Sequence, residues 1–352
     1  MKKYDLITAT SMGVRLTPLD RQPVGMGNHY LMHSTSAESN VLNVSASLGL
    51  KTKVLTAFVK DSPIADFIKR DLGRRFIAFE GPDIAMGGPW GHRHQFNIAD
   101  AGFGVRGPRV HNDRAGEVGL LLNEDYFNLD AIFGQEGARM IHFSGLFAAL
   151  SQNTADFCLK LAQKAREHGT LISFDLNHRA SFWAGREAEL RAAFHQIAGQ
   201  ADILIGNEED YQLALGIKGP EAGGEGILAQ QEGFRGMIKA AQARYPRVKV
   251  FANTLREVQS ANTHLWGALL YMDGAWHEAP LREIQVLDRI GGGDGFVGGL
   301  LYSILKGWTG ERCLQFAWSA GALATTMLED FASPINEQQV WDVWEGKARV
   351  VR

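Results

Sequence analysis

Short apolar segments alternate with helix-like segments along most of the 352-residue chain, and this alternation constrains the fold more than any other feature. Continuous short apolar runs are typical of parallel strands covered on both faces. The predicted strands are residues 4–10, 53–59, 140–143, 171–175, 202–205 and 248–252. Helices are predicted between them, for example from Pro63 toward Leu72 and from Asn153 or Thr154 to His168. The pattern predicts an α/β fold with a mostly parallel sheet, and Asp273-Gly274 predicts a hairpin near its end.

Two segments interrupt the alternation, at about residues 11–35 and 88–118. Both are rich in Gly, Pro, His and Arg, and neither has the long polar low-complexity run of a linker. We therefore expect one domain over residues 1–352, with these two segments inserted in it as short strands that form a flap.

Composition excludes several classes of function. The 36 Lys and Arg are outnumbered by 39 Asp and Glu, so no basic surface for nucleic acid is indicated. No apolar run approaches the roughly 20 residues of a membrane span. The two cysteines, Cys158 and Cys313, are too few to stabilise a chain of this size by disulfides. These features predict a cytoplasmic protein without nucleic-acid or membrane partners.

The most informative segment is residues 286–305, VLDRIGGGDGFVGGLLYSIL. Gly291, Gly292 and Gly293 precede Asp294, and an apolar helix follows at once. Free backbone N–H groups at such a helix start favour an anion, and glycine permits the backbone angles of an anion-binding turn. A carboxylate there suits a base that takes a proton from a hydroxyl attacking a bound phosphate. An ordinary loop with Asp294 as a helix cap remains open at this point.

A second glycine pattern points to a different class of enzyme. Gly102, Gly104 and Gly107 match G-x-G-x-x-G, the fingerprint of dinucleotide-binding proteins. The context is unfavourable, because polar residues precede the pattern, Pro108 follows it and no helix begins there. A nicotinamide oxidoreductase is therefore a weak alternative. There is also no G-x-x-x-x-G-K-[ST] loop of P-loop kinases.

The segment around Asp294 resembles the carboxy-terminal signature of the ribokinase (PfkB) family of carbohydrate kinases. Its Asp288-Arg289 and three glycines are similar to the 2-keto-3-deoxygluconate kinase branch. Further matches are in register from about residue 4 to residue 340, namely residues 37–40, 112–115, 175–179, 203–210, 254–258 and 316–331.

The resemblance implies a ribokinase-like three-layer α/β/α sandwich with a mostly parallel central sheet and a small β lid. The two irregular segments fall where that lid would be. The implied activity is the ATP- and Mg²⁺-dependent phosphorylation of a hydroxyl of 2-keto-3-deoxygluconate or a related sugar acid. By analogy, the resemblance also implies a homo-oligomer.

The resemblance also implies a role for individual residues of this chain, assigned by their positions in the matching motifs. Asp294 would be the catalytic base, and the amides of Gly291, Gly292, Gly293 and Asp294 would stabilise the transferring phosphoryl group. The nucleotide would be bound by Asn207, Thr254, Gly291 and Gly293, and Mg²⁺ by Glu208 and Asp210, the latter through water. The substrate would be bound by Ser36, Asn40, Arg114, Arg179 and Asp330, with the two arginines matching its carboxylate.

This chain departs from the family pattern in the sugar pocket. Thr35-Ser36 replaces a Gly-Gly pair, and His178 replaces the aromatic residue before Arg179. A kinase for a different sugar of the same family therefore stays open, and so does a catalytically idle sugar-binding paralogue.

Overall fold

The computed structural model describes residues 2–220 and 231–348. In this part of the chain, strands and helices alternate as the sequence predicts. The strands are β1 (Tyr4–Ala9), β2 (Gly13–Pro18), β3 (Tyr30–Thr35), β4 (Thr52–Leu55), β5 (Phe58–Val59), β6 (Ile77–Glu80), β7 (Asp83–Ile84), β8 (Gln95–Ala99), β9 (Val110–Asp113), β10 (Ala138–Ser144), β11 (Leu171–Asp175), β12 (Ile203–Ile205), β13 (Val250–Val258), β14 (Thr263–Met272) and β15 (Ala275–Gln285).

The helices pack on the faces of the sheet. They are α1 (Ala37–Ser47), α2 (Pro63–Arg74), α3 (Gly145–Ala148), α4 (Gln152–Glu167), α5 (Ala180–Trp183), α6 (Glu187–Gln200), α7 (Glu208–Leu215), α8 (Gln231–Arg244), α9 (Gly292–Leu305), α10 (Gly310–Ala324) and α11 (Glu337–Trp344). Short 3₁₀ turns at Leu19–Arg21, Val118–Leu121 and Glu124–Tyr126 and a π-helical segment at Ala131–Glu136 complete the regular structure of the described residues.

Nine strands form the central sheet, in the order β15-β14-β13-β12-β11-β10-β1-β4-β6. All its neighbours pair in parallel except β13–β14 and β14–β15, which are antiparallel; the β14–β15 pair is the predicted hairpin. Adjacent residues of β1 enter different cores: Ile7 packs with α4 and α6, whereas Leu6 packs with α1 and α9. The sheet therefore lies between two helical layers, because successive side chains of a strand point to opposite faces.

The two irregular segments form a separate four-stranded sheet, in the order β3-β2-β8-β9, which we call the small sheet. Strand β2 pairs antiparallel with β3 and parallel with β8, and β8 pairs antiparallel with β9. The glycine pattern at 102–107 lies in the β8–β9 connection, where Phe103 and Arg106 form a bridge. Since no helix follows it, this pattern lacks the context of a dinucleotide site.

Some sequence-predicted boundaries were wrong. Residues 53–59 form two strands, because the chain leaves the central sheet after Leu55 and Phe58 pairs with Asp83 in a two-stranded sheet. Helix α4 is capped by Ser151, and Thr154 is the reciprocal partner of that capping box. Strand β13 extends to Val258, since pairing with β14 continues to His264.

The apolar content does not form a membrane span. Among residues 2–220 and 231–348, no helix combines the length and the apolar composition needed to cross a bilayer. Both cysteines are buried free thiols.

Candidate active site

The first residues of α9 form a turn that only glycine fits at one position. Gly291 is the N-cap, with a φ of 86° in the left-handed region. A Cβ atom there would lie 1.9 Å from the carbonyl oxygen of Asp330. Gly293 is different, since a Cβ on it would meet nothing within 4 Å and the residue is exposed. We call residues 288–293 the glycine turn; its amides at the helix start have an open side that an anion can approach.

Asp294 is the third residue of α9 and is half-buried. It is not the N-cap of the helix, and so the alternative of a simple capping residue is wrong. Burial raises its pKa to about 7, and the carboxylates of Asp330 and Glu38 add to this effect. A hydrogen bond from Asn40 and the charge of Arg179 oppose it. Asp294 can therefore exchange a proton near neutral pH, as a general base requires.

Asn40 reaches Asp294 from helix α1. Its Nδ2 donates a hydrogen bond of 2.9 Å to Asp294 Oδ2. Gly298 of α9 allows the two helices to pack closely, since a Cβ atom on it would lie 2.6 Å from the carbonyl oxygen of Val41. Ser36 is the N-cap of α1, and its Oγ accepts from the Ser39 amide at 3.0 Å. The hydroxyl of Ser36 is therefore already engaged in holding the start of α1.

Asp330 is buried and is bonded by two residues of β3. Thr35 Oγ1 donates to one carboxylate oxygen at 2.6 Å, and His33 Nε2 lies 2.9 Å from the other. Although burial raises the pKa of Asp330, His33, Arg15 and Thr35 together lower it below its ordinary value. Thr35 belongs to the Thr35-Ser36 pair that stands where the family has Gly-Gly. Its hydroxyl therefore bonds the carboxylate of Asp330, which the sequence predicts to contact substrate.

The Arg114 guanidinium is paired with a buried carboxylate. Its Nε and Nη2 donate to both oxygens of the buried Glu117 at 2.7 and 2.6 Å, and its guanidinium lies 5.4 Å from the ring centre of Phe182. Ser11 Oγ also donates to Glu117. This bidentate pair fixes the orientation of the guanidinium, and the contact with Phe182 joins Arg114 to α5.

Arg179 is the N-cap of α5 and is exposed. Its Nη1 donates to the carbonyl of His178 at 2.8 Å, and its charge lowers the pKa values of Asp294, Asp175 and Asp210. Asp175 ends strand β11, where burial and the charges of Asp210 and Asp294 raise its pKa well above the usual value. The carboxylates of three elements thus meet beside one accessible guanidinium.

The predicted metal residues begin helix α7. Asp210 and the N-cap Asn207 form a capping box, with two hydrogen bonds of 2.8 Å. The other oxygen of Asp210 accepts from the His178 amide at 2.8 Å, and burial raises the pKa of Asp210 to about 6. Glu208 lies near Arg256, whose pKa it raises. In residues 2–220 and 231–348, no three His, Cys, Asp or Glu side chains are grouped to hold a metal.

Thr254 lies half-buried on β13, two residues before Arg256. Desolvation lowers the pKa of Arg256 to about 10, and the positive charges of Arg289 and Arg179 act in the same direction. His264 is buried nearby; desolvation, Arg256 and Arg289 lower its pKa to about 4. This side of the glycine turn is therefore electropositive and suits a polyanion.

Sequence reasoning missed several residues of this region. Glu117 could have been found from its i,i+3 spacing to Arg114 on a polar segment, and Arg256 and Arg289 lie inside motifs that were recognised. No local signal marks His33 or Arg15, because their partners lie 297 and 273 residues away in the chain.

Comparison with known proteins agrees with this geometry. A family model described as pfkB family carbohydrate kinase matches residues 134–330. The 2-dehydro-3-deoxygalactonokinase of Haloferax volcanii is 25% identical over 330 residues, which cover 93% of each chain. The structure of 2-dehydro-3-deoxygluconokinase from Thermotoga maritima superposes with a TM-score of 0.85 at 26% identity, covering 98% of this chain and 99% of that one.

A fructokinase structure with bound ATP from Xylella fastidiosa shares the fold, with a TM-score of 0.74 at 19% identity and coverage of 99% of this chain and 100% of that one. These matches identify the architecture as the ribokinase-like α/β fold. Because the family model spans more than half of its residues, the chain belongs to the pfkB family and is a carbohydrate kinase.

Proposed function

We propose that this kinase transfers the γ-phosphoryl group of ATP to a hydroxyl of 2-keto-3-deoxygluconate or a closely related sugar acid. The observation that carries the proposal is Asp294, a half-buried carboxyl with a pKa near 7 in the first turn of α9, beside backbone amides with an open side. The names of the relatives from Haloferax volcanii and Thermotoga maritima support a sugar acid as the acceptor.

Asp294 acts as the general base in this proposal. Its carboxylate takes the proton of the sugar hydroxyl while the hydroxyl oxygen forms a bond to the γ-phosphorus and the bond to the β,γ-bridging oxygen breaks. The amides of Gly291, Gly292, Gly293 and Asp294 stabilise the charge that develops on the transferred group. Bound ATP supplies the phosphoryl group and leaves as ADP. Loss of one such donor commonly costs about 10²–10³ in rate.

The nucleotide side fits a triphosphate. Gly293 leaves open space where any side chain would project, and the charges of Arg256 and Arg289 favour a polyanion. In the proposal, Asn207 and Thr254 contact the nucleotide together with Gly291 and Gly293.

Direct coordination of Mg²⁺ by Asp210 is not proposed, because Asp210 is buried and each of its oxygens already accepts one backbone amide. Glu208 and Asp210 are therefore proposed to contact the ion through water, as Mg²⁺ usually keeps several waters.

The acid-sugar side is proposed to use Arg179 and Arg114, the first accessible and the second held by Glu117. Asn40 Oδ1 is buried and has no partner among the described residues, so it can accept from a sugar hydroxyl while Nδ2 holds Asp294. Ser36 and Asp330 then act mainly through the backbone they hold, since their side chains are bonded internally.

The small sheet is proposed to be the lid over this pocket, within one domain. The cytoplasmic location, the absence of nucleic-acid partners and the homo-oligomer stay predictions from sequence.

A coupled assay of ADP formation tests the proposal, with 2-keto-3-deoxygluconate, its galactonate epimer and neutral sugars as acceptors. We expect ADP release that depends on a sugar acid, with little release from any neutral sugar, and loss of activity in Asp294→Asn. Preference for a neutral sugar would instead identify a kinase for a different sugar. Binding of a sugar acid without ADP formation would identify an idle paralogue.

A further inference from the structure

Strand β2 of the small sheet contacts the glycine turn through one buried ion pair. Arg15 and Asp288 form this pair through Arg15 Nη2 and Asp288 Oδ2, and their side chains are only 1% and 2% exposed. Asp288 is the first residue of the turn. Its other oxygen, Oδ1, accepts a hydrogen bond of 3.0 Å from the amide of Ile290. The carboxylate therefore both shapes the turn and ties it to the small sheet.

Strand β3 is connected to the same turn indirectly, through Asp330. His33 and Thr35 bond the side chain of Asp330, and the carbonyl of Asp330 lies against Gly291. Arg15 and His33 are register partners across β2 and β3. The Arg15–Asp288 and His33–Asp330 contacts therefore start from neighbouring positions of the small sheet. Leu287 and Asp288 also donate their amides to the carbonyl of Thr325, which fixes the turn to the end of α10.

Stability of the fold alone does not explain this buried ion pair. Arg15 Nε and Nη1 are buried without a partner among the described residues. Removing an arginine from water costs free energy that one carboxylate repays only in part, and apolar residues of similar volume often stabilise a fold at least as well. What an apolar pair cannot do is accept the Ile290 amide and hold the turn in one shape.

We propose that Arg15 is a positioning residue for phosphoryl transfer, which acts through Asp288 to hold the amides of the glycine turn and Asp294 in their reactive arrangement. This inference rests on the proposed function. Because the Arg15 side chain is only 1% exposed and is paired with Asp288, we expect its effect on turnover and not on substrate binding.

The test is the double variant Arg15→Met/Asp288→Leu, which leaves no unpaired buried charge. We expect kcat to fall about 30- to 100-fold, as misplacement of reacting groups commonly does, while KM for ATP and for the sugar changes less than about threefold. Arg15→Met/Asp288→Asn keeps an acceptor for the Ile290 amide, and we expect it to recover part of the lost kcat. Hydrogen exchange of backbone amides over residues 286–296 should accelerate in the first variant.

A control ion pair lies at the amino-terminal end of the interior strand β12. Asp202 likewise binds an arginine, Arg166 at 3.1 Å, and a backbone amide, that of Ile172 at 2.9 Å, although these side chains are more exposed than those of Arg15 and Asp288. Arg166→Met/Asp202→Leu should change exchange near residue 172 and leave kcat within about threefold.

The proposal is overturned if Arg15→Met/Asp288→Leu is folded and keeps its kcat, whether or not exchange of the turn changes. If the wild-type protein phosphorylates none of the sugars, the proposed function fails. Unchanged exchange over residues 286–296 in Arg15→Met/Asp288→Leu would then overturn the tie itself. Faster exchange there, with no such change in Arg166→Met/Asp202→Leu, would support it.

Discussion

Asn40 Nδ2 donates to Asp294 Oδ2 at 2.9 Å and so joins the first turns of two helices that are 254 residues apart in the chain. The amide favours the charged form of the carboxyl, whereas burial and the neighbouring carboxylates favour the neutral form. The balance leaves the pKa of Asp294 at about 7, which is suitable for a base that must both gain and lose a proton.

The first prediction concerns Asp294 itself. Asp294→Asn keeps the size of the side chain but cannot accept the hydroxyl proton, and kcat should fall about 10²- to 10⁴-fold. Binding of ATP should change little, as measured by calorimetry. Wild-type turnover in this variant would remove Asp294 from the mechanism.

The same variant should be more stable than the wild-type protein at pH 8. The folded-state pKa of Asp294, about 7, exceeds the value of about 3.9 in unfolded chains. Its contribution to stability is therefore fully present below pH 4 and lost as pH rises through 7. Urea unfolding at pH 5 and pH 8 measures this, and the advantage of Asp294→Asn should grow with pH.

Activity should depend on pH through the same group. We expect kcat/KM to rise with pH up to about 7 and then level off, because the base must be deprotonated. Asn40→Ala removes the hydrogen bond that lowers the pKa, so the rise should move to higher pH by about 0.5–1 unit. A profile that moves to lower pH would contradict the role assigned to Asn40.

Two glycines of the turn should respond differently to alanine. Gly291→Ala places a Cβ against the Asp330 carbonyl at a positive φ and should destabilise the fold by about 2–4 kcal/mol. Gly293→Ala projects into open space and should fold normally, yet kcat should fall about 10- to 100-fold because the methyl group keeps the phosphoryl group away from the amides. Thermal unfolding and the coupled assay separate the two effects. Full activity in Gly293→Ala would show that the open side of the turn is not used.

Arg179→Met should raise KM for a sugar acid about 10- to 100-fold, the usual cost of a lost charged hydrogen bond. Its effect on KM for ATP should be smaller. Arg191→Met is a suitable control, since Arg191 is an exposed arginine bonded only to the Leu213 carbonyl among the described residues. Equal effects of the two variants would argue against a carboxylate subsite at Arg179.

The central sheet could be predicted from sequence because its strands are short, apolar and bounded by local signals. The strand at 171–175 has the predicted bounds, and the turn of the β14–β15 hairpin lies at Asp273-Gly274 as predicted. The split of residues 53–59 could not be predicted, because apolar character alone does not decide which sheet a strand joins.

The turn before Asp294 was determined by the sequence itself: three consecutive glycines and an apolar segment specify a helix start with exposed amides through interactions between near neighbours. Tertiary structure alone decided which distant side chains meet there. Thr35 and His33 engage Asp330, Glu117 holds Arg114, and Arg15 reaches Asp288. These pairs depend on how strands and helices pack, and packing is a property of the whole chain that no local pattern contains.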